Sequence, residues 1–303
     1  RTILNLYADI FEKLYAVPVL KGRKSEKEKF AGADYSLSLE ILLPMGKAIQ
    51  GCTSHHLGQN FSKAFEIDFT NEKGQKDYAW QNSWGITTRT IGIMAIVHGD
   101  EKGLVIPPKM APLQAVVVPI LFDKTKKKVL SESQKIFTEL EGAGVSVHLD
   151  DREDYSPGWK FNEWEVKGVP VRIEIGPRDL EKKQVTLVRR DTGDKKAVAL
   201  NKVQKEVANL LEEIQDNLFK NAEKILKNSI VKVKTFAEAK KAINGKKIVL
   251  APWCGLPSCE EDFKERSGGA KSLNSPFKQP KISGKCFNCS KKAQYGFYFG
   301  KSY

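Results

Sequence analysis

Residues 79–92 read AWQNSWGITTRTIG and join a strand pattern to a helical one. Tyr78, Trp80 and Trp84 give the first half the aromatic content of a partly buried strand over residues 77–84, because flat rings suit a pleated surface. Ile91, Ile93, Met94 and Val97 then follow at helical spacing. A strand therefore delivers one arginine, Arg89, surrounded by Thr87, Thr88 and Thr90, to the start of a helix. Guanidinium charge, free backbone N–H groups and the helix dipole converge there, which suits an anion. The other reading of this stretch is an arginine that pairs with a nearby carboxylate. Upstream, residues 47–60 read KAIQGCTSHHLGQN. Residues 48–51 suggest a short strand, and Thr53 or Ser54 can cap a helix running to about Ala64. Gln50, Thr53 and His55 then stand at a strand-to-helix junction, each with a hydrogen-bonding head. Taken singly, His55 and His56 read as ordinary structural or surface histidines.

A chain of 303 residues has room for two or three domains, and an apolar share of 41% supplies real cores. No apolar run approaches membrane-spanning length, and no signal-like segment opens the chain, so a cytoplasmic protein without membrane contact is expected. The start at Arg1 instead of methionine suggests a fragment. Fifty basic residues against 37 acidic ones give a net charge of +13, which favours a polyanionic partner through counterion release. Solubility alone would also account for the charge; lysines interleaved with aromatics turn the reading toward RNA. Of five cysteines, four form two close pairs, Cys254/Cys259 and Cys286/Cys289. Two loops delivering four thiolates suit tetrahedral zinc, with free thiols or redox chemistry as alternatives. The x4 spacing of the first pair is longer than the usual x2. No further ligand or open position is evident, so the metal is expected to be structural. Cys52 is left as a small packing residue.

Residues 2–15 place Ile3, Leu6, Tyr7, Ile10, Phe11 and Leu14 on one helical face. Residues 21–29, KGRKSEKEK, read as a solvated loop, and residues 35–43 as a strand. Phe65, Ile67 and Phe69 alternate with acids before a turn at 71–74, so an antiparallel sheet is expected. Pro107, Pro108 and Pro112 mark a linker. Beyond it, a strand from Val116 that ends or bulges at Pro119, a helix near 131–140 and strands near 145–149, 169–175 and 185–189 indicate an α/β domain with a mixed sheet. Residues 150–164, DDREDYSPGWKFNEW, read as a loop whose aromatic and basic side chains suit unstacked bases; packing of Trp159 and Phe161 on the domain is the plainer reading. An amphipathic helix over 202–227, a short helix at 235–243, a strand at 247–251 and an aromatic strand at 294–303 complete the chain, the last 80 or so residues forming a small third domain.

KAIQGCTSHHLGQN and NSWGITTRTIG, read together, resemble the ATP and amino-acid site of a class II aminoacyl-tRNA synthetase, and in detail the eukaryotic and archaeal type of prolyl-tRNA synthetase. The resemblance continues through GWKFNEWEVKGVPVRIEIGPRD to the final KSY, essentially the whole chain. It implies a multidomain α+β and α/β architecture: part of a class II antiparallel-sheet catalytic domain over 1–111, an α/β anticodon-binding domain over 112–222 and a small zinc-binding α/β domain over 223–303. Arg89 falls on the class's third signature arginine, stacking on adenine or facing the triphosphate. Gln50 and Thr53 would hold the nucleotide, His55 and Phe30 would line the proline pocket, and Mg2+ is expected on the phosphates. Family positions that contact anticodon guanines fall on Phe161, Glu165, Arg172, Arg178 and Asp179. A carboxylate accepts from guanine's amino and imino edge, an arginine forks onto O6 and N7, and an aromatic stacks. Cys254, Cys259, Cys286 and Cys289 match the family's C-terminal zinc module, and the carboxylate of Tyr303 is implied to reach toward the active site.

The implied activity is proline–tRNA ligase: ATP-dependent formation of prolyl-adenylate from L-proline, then transfer to the 3′ end of tRNA(Pro). The family's first two signature motifs should precede Arg1, so this chain by itself is expected to be inactive. The family's homodimer would form through that preceding part. No editing insertion fits between Gln50 and Arg89. The competing expectation is a non-catalytic tRNA- or RNA-binding module that kept the anticodon and zinc domains.

Overall fold

The computed structural model describes residues 1–282 and 284–303, which fall into two compact units. Arg1–Glu12, Val17–Ile93 and Glu223–Tyr303 make the first, and Lys13–Ala16 with Met94–Ala222 the second.

The chain opens with helix α1 (Thr2–Asp9), which continues as a π-helical turn over Ile10–Leu14. Its buried side is Leu4, Tyr7, Ala8 and Phe11, whereas Leu6 is 55% exposed, so the expected stripe is rotated. Phe11 sets the rotation, since its ring occupies the space directly over Gly51. Strands β1 (Leu20–Arg23), β2 (Tyr35–Leu42) and β3 (Ala48–Gly58) follow, then α2 (Asn60–Ala64), β4 (Asp68–Thr70), β5 (Lys76–Tyr78), β6 (Gln81–Gly85) and α3 (Arg89–His98). β1, β2, β3 and β6 lie side by side, antiparallel throughout, with Leu37, Leu39 and Ile41 of β2 in the core.

Three local expectations change. Residues 21–29 are a solvated loop only in part: Glu26, Lys27 and Glu28 form an exposed turn, but β1 pairs with β2, and the Lys24 ammonium meets Glu40 at 2.8 Å with both side chains buried. No helix starts at Thr53, because β3 runs through to Gly58 and only Asn60–Ala64 is helical. The aromatic stretch 77–84 splits into β5 and β6, and Trp80 and Trp84 are 67% and 52% exposed instead of partly buried. A strand at a sheet edge leaves one flank uncovered, and aromatic content alone does not say which.

The second unit is an α/β layer built from β7 (Ala115–Pro119), α4 (Lys126–Gly142), β8 (Val147–Leu149), α5 (Pro157–Val166), β9 (Val171–Ile175), α6 (Pro177–Glu181), β10 (Gln184–Arg189) and β11 (Lys195–Ala199). Strand order is β11–β10–β9–β7–β8. β7 pairs in parallel with β8 and β9, while β9, β10 and β11 run antiparallel, so the sheet is mixed. β7 stops at Pro119, which has no N–H for the ladder. The stretch 150–164 is not a loop, because α5 occupies its second half. Ser156 caps α5 through Trp159 N, Pro157 takes the first helical position, and buried Asp150 accepts from Arg152 and Trp164.

Helix α7 (Val203–Ser229) leads back to the first unit. There β12 (Ile230–Lys232), α8 (Phe236–Asn244), β13 (Ile248–Trp253), α9 (Pro257–Arg266), β14 (Lys271–Ser272), β15 (Ser275–Pro276) and β16 (Tyr295–Gly300) complete the chain. β12, β13, β16 and β14 form one sheet, and β15 joins the first sheet beside β1. Trp253, Phe263, Phe287, Phe297 and Phe299 pack edge-on as its core. Among the described residues no helix is long and apolar enough to cross a membrane.

Candidate functional sites

Gln50, Thr53 and His55 stand on one strand, not at a strand-to-helix junction. Gln50 and Thr53 are three residues apart, an odd offset that places side chains on opposite faces of a regular strand. A β-bulge removes the conflict. Glu40 of β2 pairs with Gln50, Leu39 with Cys52, Ser38 with Thr53 and Ser36 with His55, so Gly51 is the extra residue. Cross-strand partners share a face; Gln50, Thr53 and His55 therefore lie on the face of Glu40, Ser38 and Ser36. Gly51 turns the other way: a Cβ there would lie 2.5 Å from Ile41 Cδ1 and 2.7 Å from Phe11 Cζ.

The face is polar and held in place. The Ser38 hydroxyl donates to Glu40 at 2.8 Å, Asn274 Nδ2 donates to the Ser38 hydroxyl at 3.3 Å, and Lys24 pairs with Glu40. The Ser36 hydroxyl meets His55 Nδ1 at 2.7 Å and accepts from Phe30 N at 2.9 Å, which brings the Phe30 and His55 rings to 5.0 Å. Burial lowers the His55 pKa, which favours the neutral ring. Phe30 and His55 thus meet, with Phe30 still 48% exposed. Burial pushes the Cys52 thiol up to about 12, which leaves it inert.

Arg89 begins α3, and β6 before it pairs Gly85 with Thr53. The guanidinium is exposed and makes no hydrogen bond or ion pair with any described residue, Gln50, Thr53 and His55 included. Tyr303 is likewise 63% exposed; its backbone N–H lies 3.4 Å from Ala48 O and Lys47 Nζ sits 4.3 Å over its ring, which fixes the terminus at the start of β3.

On the second unit, Arg172 on β9 and Phe161 on α5 come together, with the guanidinium 4.6 Å from the ring centre. Arg172 Nε and Nη2 both donate to Glu174 at 3.0 and 2.8 Å, and Nη1 donates to Phe161 O at 3.3 Å. The Arg172 side chain is 13% exposed. Glu174, which sequence reading passed over, anchors Arg172 from two residues along the same strand face; that i, i+2 spacing was the available signal. Glu165 lines the same small crevice as Arg172 and pairs with Lys102 at 2.9 Å. Arg178 and Asp179 are not part of this group. They sit on α6 beyond the other end of β9, with Arg178 exposed and the Asp179 carboxylate accepting from Gly176 N at 3.0 Å.

Cys254 follows β13, Cys259 lies on α9, and Cys286 and Cys289 share a turn. Their sulfurs all lie within 4.8 Å of one another, with 3.7 Å between Cys259 and Cys286 and 3.5 Å between Cys254 and Cys289. A tetrahedron of about 2.3 Å bonds has edges of about 3.8 Å, so the four thiols fit a zinc-sized ion with no ligand to spare. Burial pushes the Cys254 thiol up to about 11, while hydrogen bonding from Cys259 and nearby backbone N–H groups pulls Cys286 down. α9 was missed in the sequence although Pro257 at its first position marks its start.

A family model described as "Anticodon binding domain" matches residues 114–210, and another described as "Prolyl-tRNA synthetase, C-terminal" matches residues 236–303. The cytoplasmic proline–tRNA ligase of Arabidopsis thaliana is 48% identical over 309 residues, covering 99% of this chain and 58% of that protein. Proline–tRNA ligase 2 of Bacillus thuringiensis is 45% identical over 307 residues, covering 99% and 62%. The bifunctional glutamate/proline–tRNA ligase of Drosophila melanogaster is 46% identical over 325 residues, covering 99% and 19%. The chain thus spans less than two thirds of the length of each of these relatives. With an anticodon-binding domain, a prolyl-tRNA synthetase C-terminal domain and such relatives along 99% of its length, the chain is consistent with a C-terminal portion of a prolyl-tRNA synthetase.

Proposed function

We propose that this chain is part of a proline–tRNA ligase, contributing the end of a class II catalytic domain over 1–111, an anticodon-binding domain over 112–222 and a structural zinc domain over 223–303. Its relatives, named proline–tRNA ligases and aligned over 99% of its residues, carry the reading. In the first step proline's carboxylate attacks the α-phosphorus of ATP and pyrophosphate leaves. A ribose hydroxyl at the 3′ end of tRNA(Pro) then takes the prolyl group and AMP departs. Positioning and charge neutralisation dominate such chemistry. Gln50 and Thr53 hold the nucleotide, His55 and Phe30 close around proline, and Arg89 folds onto bound ATP. Magnesium supplies further charge neutralisation on the phosphates when bound. Phe161, Glu165 and Arg172 read one anticodon guanine, while Arg178 and Asp179, set apart from them, serve the second. The four cysteines hold zinc as a fold staple. A cytoplasmic homodimer built through the preceding part of the catalytic domain completes the proposal.

One observation favours the second reading, an RNA-binding module without catalysis: the Arg89 side chain is exposed and has no polar partner among the described residues. Proline-dependent exchange of labelled pyrophosphate into ATP by the full-length protein separates the two. The ligase reading expects exchange, a loss of orders of magnitude in Arg89→Ala, and unchanged tRNA affinity in that variant. Arg172→Ala should instead keep exchange and weaken tRNA with a prolyl anticodon by about 1–3 kcal/mol. No exchange at saturating substrates leaves the binding module alone.

A further inference from the structure

The basic excess of this chain is unevenly placed. Residues 1–222 hold 33 Lys and Arg against 31 Asp and Glu, a net of +2; residues 223–303 hold 17 against 6, a net of +11. Nearly all the surplus charge therefore belongs to the zinc-domain segment and not to the anticodon-binding one. Four of its six acids, Glu260, Glu261, Asp262 and Glu265, are confined to α9.

A groove of about 390 Å³ opens on the same segment. Its apolar lining includes Val233, Leu250 and Ile282, and Lys232, Lys234, Lys281 and Lys285 also line it, with no acidic residue among the lining. All four lysines are exposed, and no carboxylate among the described residues pairs with their ammonium groups. The wall is built in. Gly296 N donates to Gln279 Oε1 at 2.7 Å, and a Cβ on Gly296 would lie 2.5 Å from Pro280 Cγ, so the absence of a side chain lets Pro280 close one side. Lys232 and Lys234 flank buried Val233, roughly 6.5 Å apart along extended chain.

We propose that this groove is a second RNA-docking surface, separate from the anticodon contacts, that takes the sugar–phosphate backbone of an unpaired strand. Lysines on both sides meet phosphates as point charges, and the apolar floor receives ribose and base surface. RNA is the polyanion to which an anticodon-binding domain already commits the chain. The contact reads no sequence, so it adds affinity and orientation without specificity.

The test uses the full chain and a fluorescein-labelled oligouridylate of about 20 nucleotides, which lacks a prolyl anticodon. The affinity of wild type is compared with that of Lys232→Gln/Lys234→Gln/Lys281→Gln/Lys285→Gln across a KCl series. Removing four phosphate contacts should flatten the log–log salt slope by about 2–3 and weaken binding at low salt at least about tenfold. Lys240→Gln/Lys241→Gln/Lys291→Gln/Lys292→Gln removes equal charge from the same segment outside the groove and should leave most of the slope. Equal losses in both variants, or a wild-type slope in the first, overturn the proposal; so does polyglutamate displacing the RNA at matched charge with equal strength. Because the probe carries no anticodon, Arg172→Ala should bind it normally, and failure of either reading leaves the other measurable.

Discussion

Gly51→Ala tests the bulge on which the candidate nucleotide face depends. The added methyl would sit 2.5 Å from Ile41 Cδ1 and 2.7 and 3.0 Å from Phe11 Cζ and Cε2, about 1 Å inside ordinary contact. Phe11 is fully buried and Ile41 is 1% exposed, so neither can swing into water. Forcing a methylene-sized group into a filled core costs about 1–3 kcal/mol. Restricting the unfolded chain by replacing glycine returns about 0.4–1 kcal/mol, so a net loss of about 1–2 kcal/mol is expected. Gly85→Ala, on the neighbouring strand β6, is the matched control: nothing lies within 4 Å of its Cβ position, so only the stabilising term remains. The two substitutions should therefore differ in sign. Amide hydrogen exchange across β2 and β3 reads the local effect, since those amides report opening of this sheet. Faster exchange in Gly51→Ala with slower or unchanged exchange in Gly85→Ala is the expected outcome. A Gly51→Ala protein at least as protected as Gly85→Ala would show that the space over Gly51 is not filled, and the common face of Gln50, Thr53 and His55 would lose its support.

Elemental analysis should find about one zinc per chain, lost in Cys254→Ser and Cys286→Ser but kept in Cys52→Ser. Acidification should release the metal, because the thiols must be deprotonated to bind it. Asp100 is held down to about 2, first by its hydrogen bonds from Arg190 at 2.6 and 2.8 Å. A depressed carboxyl adds stability above its unfolded pKa of about 3.9 that disappears as pH falls toward about 2. Urea midpoints of Asp100→Asn should accordingly change less than wild type between about pH 5 and pH 2.5; an identical acid loss would remove Asp100 from the account.

Much of the fold was legible because local rules and tertiary packing agreed. The mixed sheet of the second unit showed in apolar runs alternating with helical spacing, and Pro119 ended β7 where a missing N–H requires it. The four cysteines announced their cluster by spacing, and the short helix expected at 235–243 is α8. Helices α5 and α9 each place proline at the first position, but their aromatic, charged and cysteine side chains form no apolar stripe at helical spacing that would mark them in the sequence. Lys24 is the sharper failure: a charged run reads as solvated until β2 supplies Glu40 beside it.

The sequence alone determined which chemical groups this chain carries: an arginine at a helix start, a Gln–Thr–His set, an aromatic–arginine pair and four thiols. Tertiary structure decided which of them meet. Alternation along a strand is a local rule, and by that rule Gln50 and Thr53 face opposite ways. Only the ring of Phe11, arriving from a distant helix to fill the gap over Gly51, accompanies the extra residue that turns them to one side. Arg178 and Asp179 lie beyond the far end of β9 from Arg172 because the extended backbone over 171–175 separates its two ends by its own length.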